Sequence, residues 1–123
     1  MNIQLDEEII LENNKIISKF MDIDFTKAES HKRYSVYICR HHGRYHDSWD
    51  WLMPVVRKIN ALDKATQISI FKTYVSCSVE TSIKFRKDFS FAHAEYITNE
   101  QTDIQAVWNL VSKFIVWYYA KLD

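Results

Sequence analysis

The sequence predicts a small two-layer α+β domain spanning residues 1–123, with helices packed on an antiparallel sheet in the order α-β-α-β-β-α. Three observations predict it. Apolar residues recur at helical spacing in three separated segments. Runs rich in β-branched and aromatic residues lie between them. No regular strand–helix–strand alternation appears, which argues against a doubly wound sheet. At 123 residues the chain is long enough to bury one core.

The first helix is expected over 7–21. Ile9, Ile10, Ile16, Ile17 and Phe20 form its apolar face, and Asp6, Glu7 and Glu8 suit the positive end of the helix dipole. Asn13 and Asn14 weaken its middle. Tyr34–Cys39 reads as a strand, with Val36 and Ile38 on one side and Tyr37 and Cys39 on the other. The next segment, Arg40 to His46, holds the only glycine and reads as a turn. Asp47 or Ser48 can cap a second helix whose stripe is Trp49, Leu52, Val55, Val56, Ile59 and Leu62. Pro54 is tolerated only early in a helix, so the regular part is expected to begin near Pro54.

Residues 68–79 are rich in β-formers. Ile68 and Ile70 sit out of phase with Phe71, Val75, Cys77 and Val79, which suggests a bulge or two faces both partly covered. A partner strand over 81–91 would complete a hairpin, with Ile83, Phe85, Phe89 and Phe91 as its apolar residues. Thr102-Asp103-Ile104-Gln105 has the form of a capping box and opens a last helix. Ile104, Val107, Trp108, Val111, Ile115, Tyr118 and Leu122 form its stripe. Leu110, Phe114 and Trp117 widen it, so its second half is either deep in the core or covered by a partner, including a second copy of the chain.

Composition excludes some functions. A single glycine rules out a glycine-rich phosphate loop. Net charge is zero, so no global field draws the protein to nucleic acid or membrane. Residues 31–46 nonetheless carry four Lys/Arg and no acid, whereas residues 1–30 carry seven acids against three lysines. Residues 1–8 lack the pattern of a signal peptide, and no apolar run approaches the roughly 20 residues of a spanning helix. The expected location is cytoplasmic, with Cys39 and Cys77 as two buried thiols in a reducing environment, a single disulfide between them being the alternative.

The basic segment is the main candidate site. Lys32, Arg33, Tyr37, Arg40, His41, His42, Arg44 and Tyr45, with Trp51 on the following helix, combine the charge and aromatic surface of a macromolecular contact. The same cations and tyrosines could meet phosphates and bases of RNA or single-stranded DNA. Cys39, His41, His42 and His46 are chemically suited to zinc, but their spacing is that of no known finger. Cofactors are expected to be none. No nucleophile–base motif appears, and His93 stands in a stretch with no assigned element.

Three segments resemble a group of short proteins, without a settled activity, found in Bacteroidetes genomes and their phages. They are Asn13–Met21, Tyr45–Ile59 with its Ser48-Trp49-Asp50-Trp51-Leu52-Met53-Pro54-Val55-Val56 core, and Ile104–Trp108 continuing through Phe114–Tyr118. The resemblance implies an α+β fold and a mobile-element setting, and it brings no catalytic residues. The resulting expectation is a non-enzymatic protein that binds a protein partner, such as an inhibitor of a host defence system. Beside it stand an accessory protein for RNA or single-stranded DNA and a metal-dependent enzyme built on the 39–46 cluster.

Overall fold

The computed structural model describes residues 7–23, 43–62, 66–79 and 91–122. Within them lie three helices, α1 (Glu7–Phe20), α2 (Trp49–Asn60) and α3 (Asp103–Leu122), and three strands, β1 (Thr66–Ile70), β2 (Tyr74–Val79) and β3 (Phe91–Tyr96). The strands form one antiparallel sheet in the order β1-β2-β3. The fold class is therefore α+β. The expected strand over 34–39 lies outside the described residues.

Ile10, Ile17 and Phe20 of α1 are buried, but Ile9 is half exposed, so the apolar face is narrower than expected. Asn14 takes the place between Ile10 and Ile17 and is fully buried. The helix ends with Asp22 in the left-handed region at φ 59°. Ile23 N donates to Ser18 O and Asp22 N to Lys19 O, the paired bonds of a Schellman ending. Lys58 of α2 donates to Phe20 O, and its ammonium lies 4.6 Å from the Phe20 ring centre. The end of α1 is thus closed by a side chain from α2.

The start of α2 corrects an expectation. The helix is regular from Trp49, which places Pro54 in its interior. The proline forfeits one hydrogen bond, to Asp50 O, but Asp50 is exposed and its carbonyl can meet water. The apolar face carries the helix across this gap, because Leu52, Val55, Val56 and Ile59 are all buried. Ser48 occupies the N-cap position, yet its side chain makes no capping bond.

The strands also depart from expectation. Residues 68–79 are not one bulged strand. The chain reverses at Lys72-Thr73, with Phe71 N donating to Tyr74 O at 2.8 Å, and β1 pairs with β2 from Ile70↔Val75 to Thr66↔Val79. The phase change is the turn. β3 begins at Phe91, where the expected partner strand ends, and pairs with β2 from Val79↔Phe91 to Tyr74↔Tyr96. Residues 81–90 lie outside the described residues.

One sheet face, with Thr66, Ile68, Val75, Cys77 and Val79, is buried beneath the helices. α2 covers β1, α3 covers β2 and β3, and α1 packs on α3. The capping box is present as expected: Thr102 N donates to Gln105 Oε1 at 2.9 Å and Gln105 N to Thr102 Oγ1 at 3.3 Å. Trp108, Leu110, Val111, Phe114 and Ile115 are buried. This chain covers the apolar second half of α3 in part: Phe114 and Ile115 are buried, and Trp117, Tyr118 and Tyr119 are half-buried. Tyr118 meets the Phe20 ring edge-on, and Trp117 packs on Phe91 and Phe114. Val116 stays half exposed. No helix among the described residues is long and apolar enough to cross a membrane.

Candidate functional site

The basic segment is described only at its C-terminal end. Lys32, Arg33, Tyr37, Arg40, His41 and His42 lie outside the described residues, as does Cys39. Arg44 is exposed and is held by Asp47, with Nε donating to Oδ1 at 3.1 Å. Tyr45 corrects an expectation. It is 1% exposed and meets Trp51 edge-on at 5.2 Å, so its ring belongs to the core and not to a contact surface. Trp51 is half-buried in the same packing. The reason is Gly43, whose φ of +110° folds the segment back. A Cβ there would stand 2.8 Å from the Tyr45 ring and 2.9 Å from that of Trp51.

His46, the described member of the proposed zinc ligands, is buried in a hydrogen-bonded network. Asn14 Nδ2 donates to His46 Nδ1 at 2.9 Å, and Trp108 Nε1 donates to Asn14 Oδ1 at 2.9 Å. Its Nδ1 lone pair is therefore in use. Among the described residues no group of three or more His, Cys, Asp or Glu is placed to hold a metal ion.

Two other arrangements come from residues the sequence reading passes over. The first is a polar cluster between β3 and α3. His93 and Glu95 pair with Cys77 and Val75 and so share the helix-facing side of the sheet. The Glu95 side chain is 12% exposed. It accepts from Lys113 Nζ at 2.8 Å, from His93 Nε2, and from Gln101 Nε2 at 3.3 Å. Because an ionised carboxylate only accepts, His93 Nε2 must carry the proton, and it cannot also accept from Lys113. Burial opposes ionisation of Glu95, but the hydrogen bonds from Lys113 and His93, the Lys113 charge and the Gln101 bond together hold its carboxyl below the ordinary value. Gln101 also donates to Tyr96 O at 2.8 Å and accepts from Asn109 Nδ2 at 2.8 Å. The Glu95 carboxylate and the Gln101 amide are both answered within the set, the pattern of a structural tie between strand and helix. The available signal was the strict alternation Ala92-His93-Ala94-Glu95.

The second arrangement is an aromatic row on the opposite sheet face. Tyr74 and Tyr96 are cross-strand partners, with ring centres 6.0 Å apart. Phe71, across the turn from Tyr74, stacks on it at 4.7 Å. Phe71 is 48% exposed and Tyr96 is 63% exposed. The rest of that face is small or polar: Ser76 pairs with Ala94 and with Ser69, and Ser78 with Ala92 and with Gln67. The β1–β2 turn carries one cation, Lys72, and the stretch between β3 and the capping box carries one acid, Glu100.

Compared with protein-family models, with curated proteins and with solved structures, the chain matches none of them.

Proposed function

We propose that this is a non-enzymatic binding protein that engages a protein partner through the Phe71–Tyr74–Tyr96 row. The observation that carries the reading is an exposed pair of rings, Phe71 and Tyr96, joined through the half-buried Tyr74 at one end of the outer sheet face. Aromatic side chains are enriched in interface cores and charged ones are depleted there, which is the composition of this face. A nucleic-acid platform would need cations beside the rings to neutralise phosphates, and Lys72 alone stands near them among the described residues. The basic residues Lys32, Arg33, Arg40 and Arg44 are proposed as a second, charged contact to the same partner. The resemblance to proteins of Bacteroidetes genomes and their phages supports a partner within a host defence system. In a host of that kind the site of action would be cytoplasmic.

The test is affinity capture from the native host, with and without nuclease, using wild type and the double variant Phe71→Ser/Tyr96→Ser. The expected result is a discrete partner that survives nuclease treatment and is lost with the variant. A partner that disappears on nuclease treatment, together with oligonucleotide binding that weakens steeply with salt, would transfer the reading to RNA or single-stranded DNA.

A further inference from the structure

Away from the aromatic row, a cavity of about 350 Å³ opens between α1 and α3. Small-molecule sites occupy roughly 300–1,000 Å³. Asn13 lines the cavity from α1, and Asn109, Ser112, Lys113, Val116 and Trp117 line it from α3. The α3 residues recur at helical spacing, so one helix face supplies all of them.

The partners already made by these side chains restrict what could bind. Lys113 Nζ lies 2.8 Å from the Glu95 carboxylate, so an anionic ligand would compete with a carboxylate already in place. Glu95 in turn accepts from three donors and offers little to a cation. A wholly apolar ligand would strip water from the Asn13 and Asn109 amides and return no hydrogen bond, which is costly. A neutral hydrogen-bonding ligand fits what remains. The Asn13 amide has no side-chain partner among the described residues, so its donor and acceptor are both free. Asn109 uses Nδ2 on Gln101 and keeps Oδ1 as an acceptor. Trp117 and Val116 supply apolar wall.

We propose that this cavity binds a neutral planar heterocycle with adjacent donor and acceptor groups, the chemistry of a nucleobase. Asn13 pairs with its edge, as side-chain amides pair bidentately with adenine, and Trp117 packs against its ring. A free nucleoside and an unstacked base of a single strand both present this chemistry.

The experiment titrates adenosine, uridine, their 5′-monophosphates and a single strand of about eight nucleotides into the full chain. The readout is the NMR signals of the Asn13 and Asn109 amides and the Trp117 indole. A nucleoside is expected to shift all three saturably. Asn13→Ala should weaken binding at least about tenfold with the melting curve unchanged. Val116→Trp, at an exposed position on the rim, should block binding by filling the space. Tighter binding of the oligonucleotide than of the nucleoside assigns the source to nucleic acid, and weaker binding assigns it to free nucleoside. The proposal is overturned if no probe moves these signals at millimolar concentration. It is equally overturned if both variants bind as wild type does, or if a monophosphate binds more than about tenfold tighter than its nucleoside, which would mark an anion site. None of these failures bears on the aromatic row, which lies on the other face of the sheet.

Discussion

Trp108 donates its indole N–H to Asn14 Oδ1 at 2.9 Å, joining α3 to α1 at the centre of the core. An indole N–H can only donate, so this bond fixes which way the Asn14 amide faces. Its Nδ2 must then point toward His46 Nδ1, 2.9 Å away, and toward Gly43 O at 3.4 Å. His46 Nδ1 accepts, so the imidazole is the tautomer protonated at Nε2, whose nearest carboxylate is Asp47 at 3.7 Å. One indole thereby sets the hydrogen-bonding sense of a chain that ties α1, α3 and the segment before α2 together.

Replacing Asn14 with Leu keeps much of the volume and removes every one of these bonds. The buried Trp108 N–H and His46 Nδ1 lose their partner, and each such loss costs about 1–3 kcal/mol. Asn14→Leu should therefore destabilise by about 2–4 kcal/mol in urea unfolding, comparable with the about 3–5 kcal/mol expected for Trp108→Ala. A change of less than about 1 kcal/mol in Asn14→Leu would show that the network adds little to stability.

The same residues show where the sequence was legible. The start of α3 could be read because a capping box needs only two side chains at a fixed spacing, Thr102 and Gln105, and local bonds satisfy it. The core stripe of α2 was equally plain. The β1–β2 hairpin was hidden because neither Lys72 nor Thr73 takes a positive φ. Without that requirement the turn needs no glycine or asparagine, so it leaves no signature. β3 was hidden because its helix-facing positions past Phe91 are His93 and Glu95, which inverts the usual apolar alternation. Their stability in that position depends on Lys113, about twenty residues away in sequence, a relation that no local pattern records. Asn14 looked like a weak point in α1. Its place between Ile10 and Ile17 on the stripe was the one sign that it faces inward. The basic segment was conspicuous in sequence through its charge, whereas the aromatic row becomes visible only when the register sets Tyr74 beside Tyr96.

Gly43 offers a sharper test of how the segment before α2 is held. Its φ of +110° is a conformation L side chains rarely adopt, and an added Cβ would meet Tyr45 and Trp51 at under 3.0 Å. Gly43→Ala should cost about 2 kcal/mol or more, from backbone strain and displaced rings together. Trp51→Leu in the same chain should recover the part of the steric cost that Trp51 imposes and leave the Tyr45 contact and the backbone part. If the double variant is no more stable than the sum of its two single changes predicts, the Trp51 contact is not a source of the strain.

Cys77 sits on the buried sheet face at 1% exposure, and burial pushes its thiol up to about 12. Reactivity follows the thiolate, so the native protein should leave Cys77 unalkylated by iodoacetamide at pH 8. In denaturant the thiol should return to ordinary reactivity. Peptide mapping of the alkylated protein distinguishes this site from Cys39. Rapid labelling of Cys77 under native conditions would mean that α3 lifts readily from β2.

Glu95 gives the acid limb of stability. Its carboxyl lies below the ordinary value in the folded protein, since Lys113, His93 and Gln101 outweigh the opposing effect of burial. The folded chain therefore releases this proton more readily than the unfolded chain. The ionised group stabilises the fold at pH values above the unfolded carboxylate value. That contribution fades as pH drops below the ordinary range and is gone once the lower folded value is passed. Glu95→Gln removes the titration, so its stability should fall less steeply than that of wild type across this acid window, while lying below wild type near neutrality. Lys113→Met should move the Glu95 titration back up, visible in the carboxyl carbon signal by NMR. Urea unfolding at a series of pH values checks both expectations. Parallel stability curves for wild type and Glu95→Gln would show that the cluster positions β3 against α3 without a net electrostatic gain, as happens when desolvation cancels the pairing.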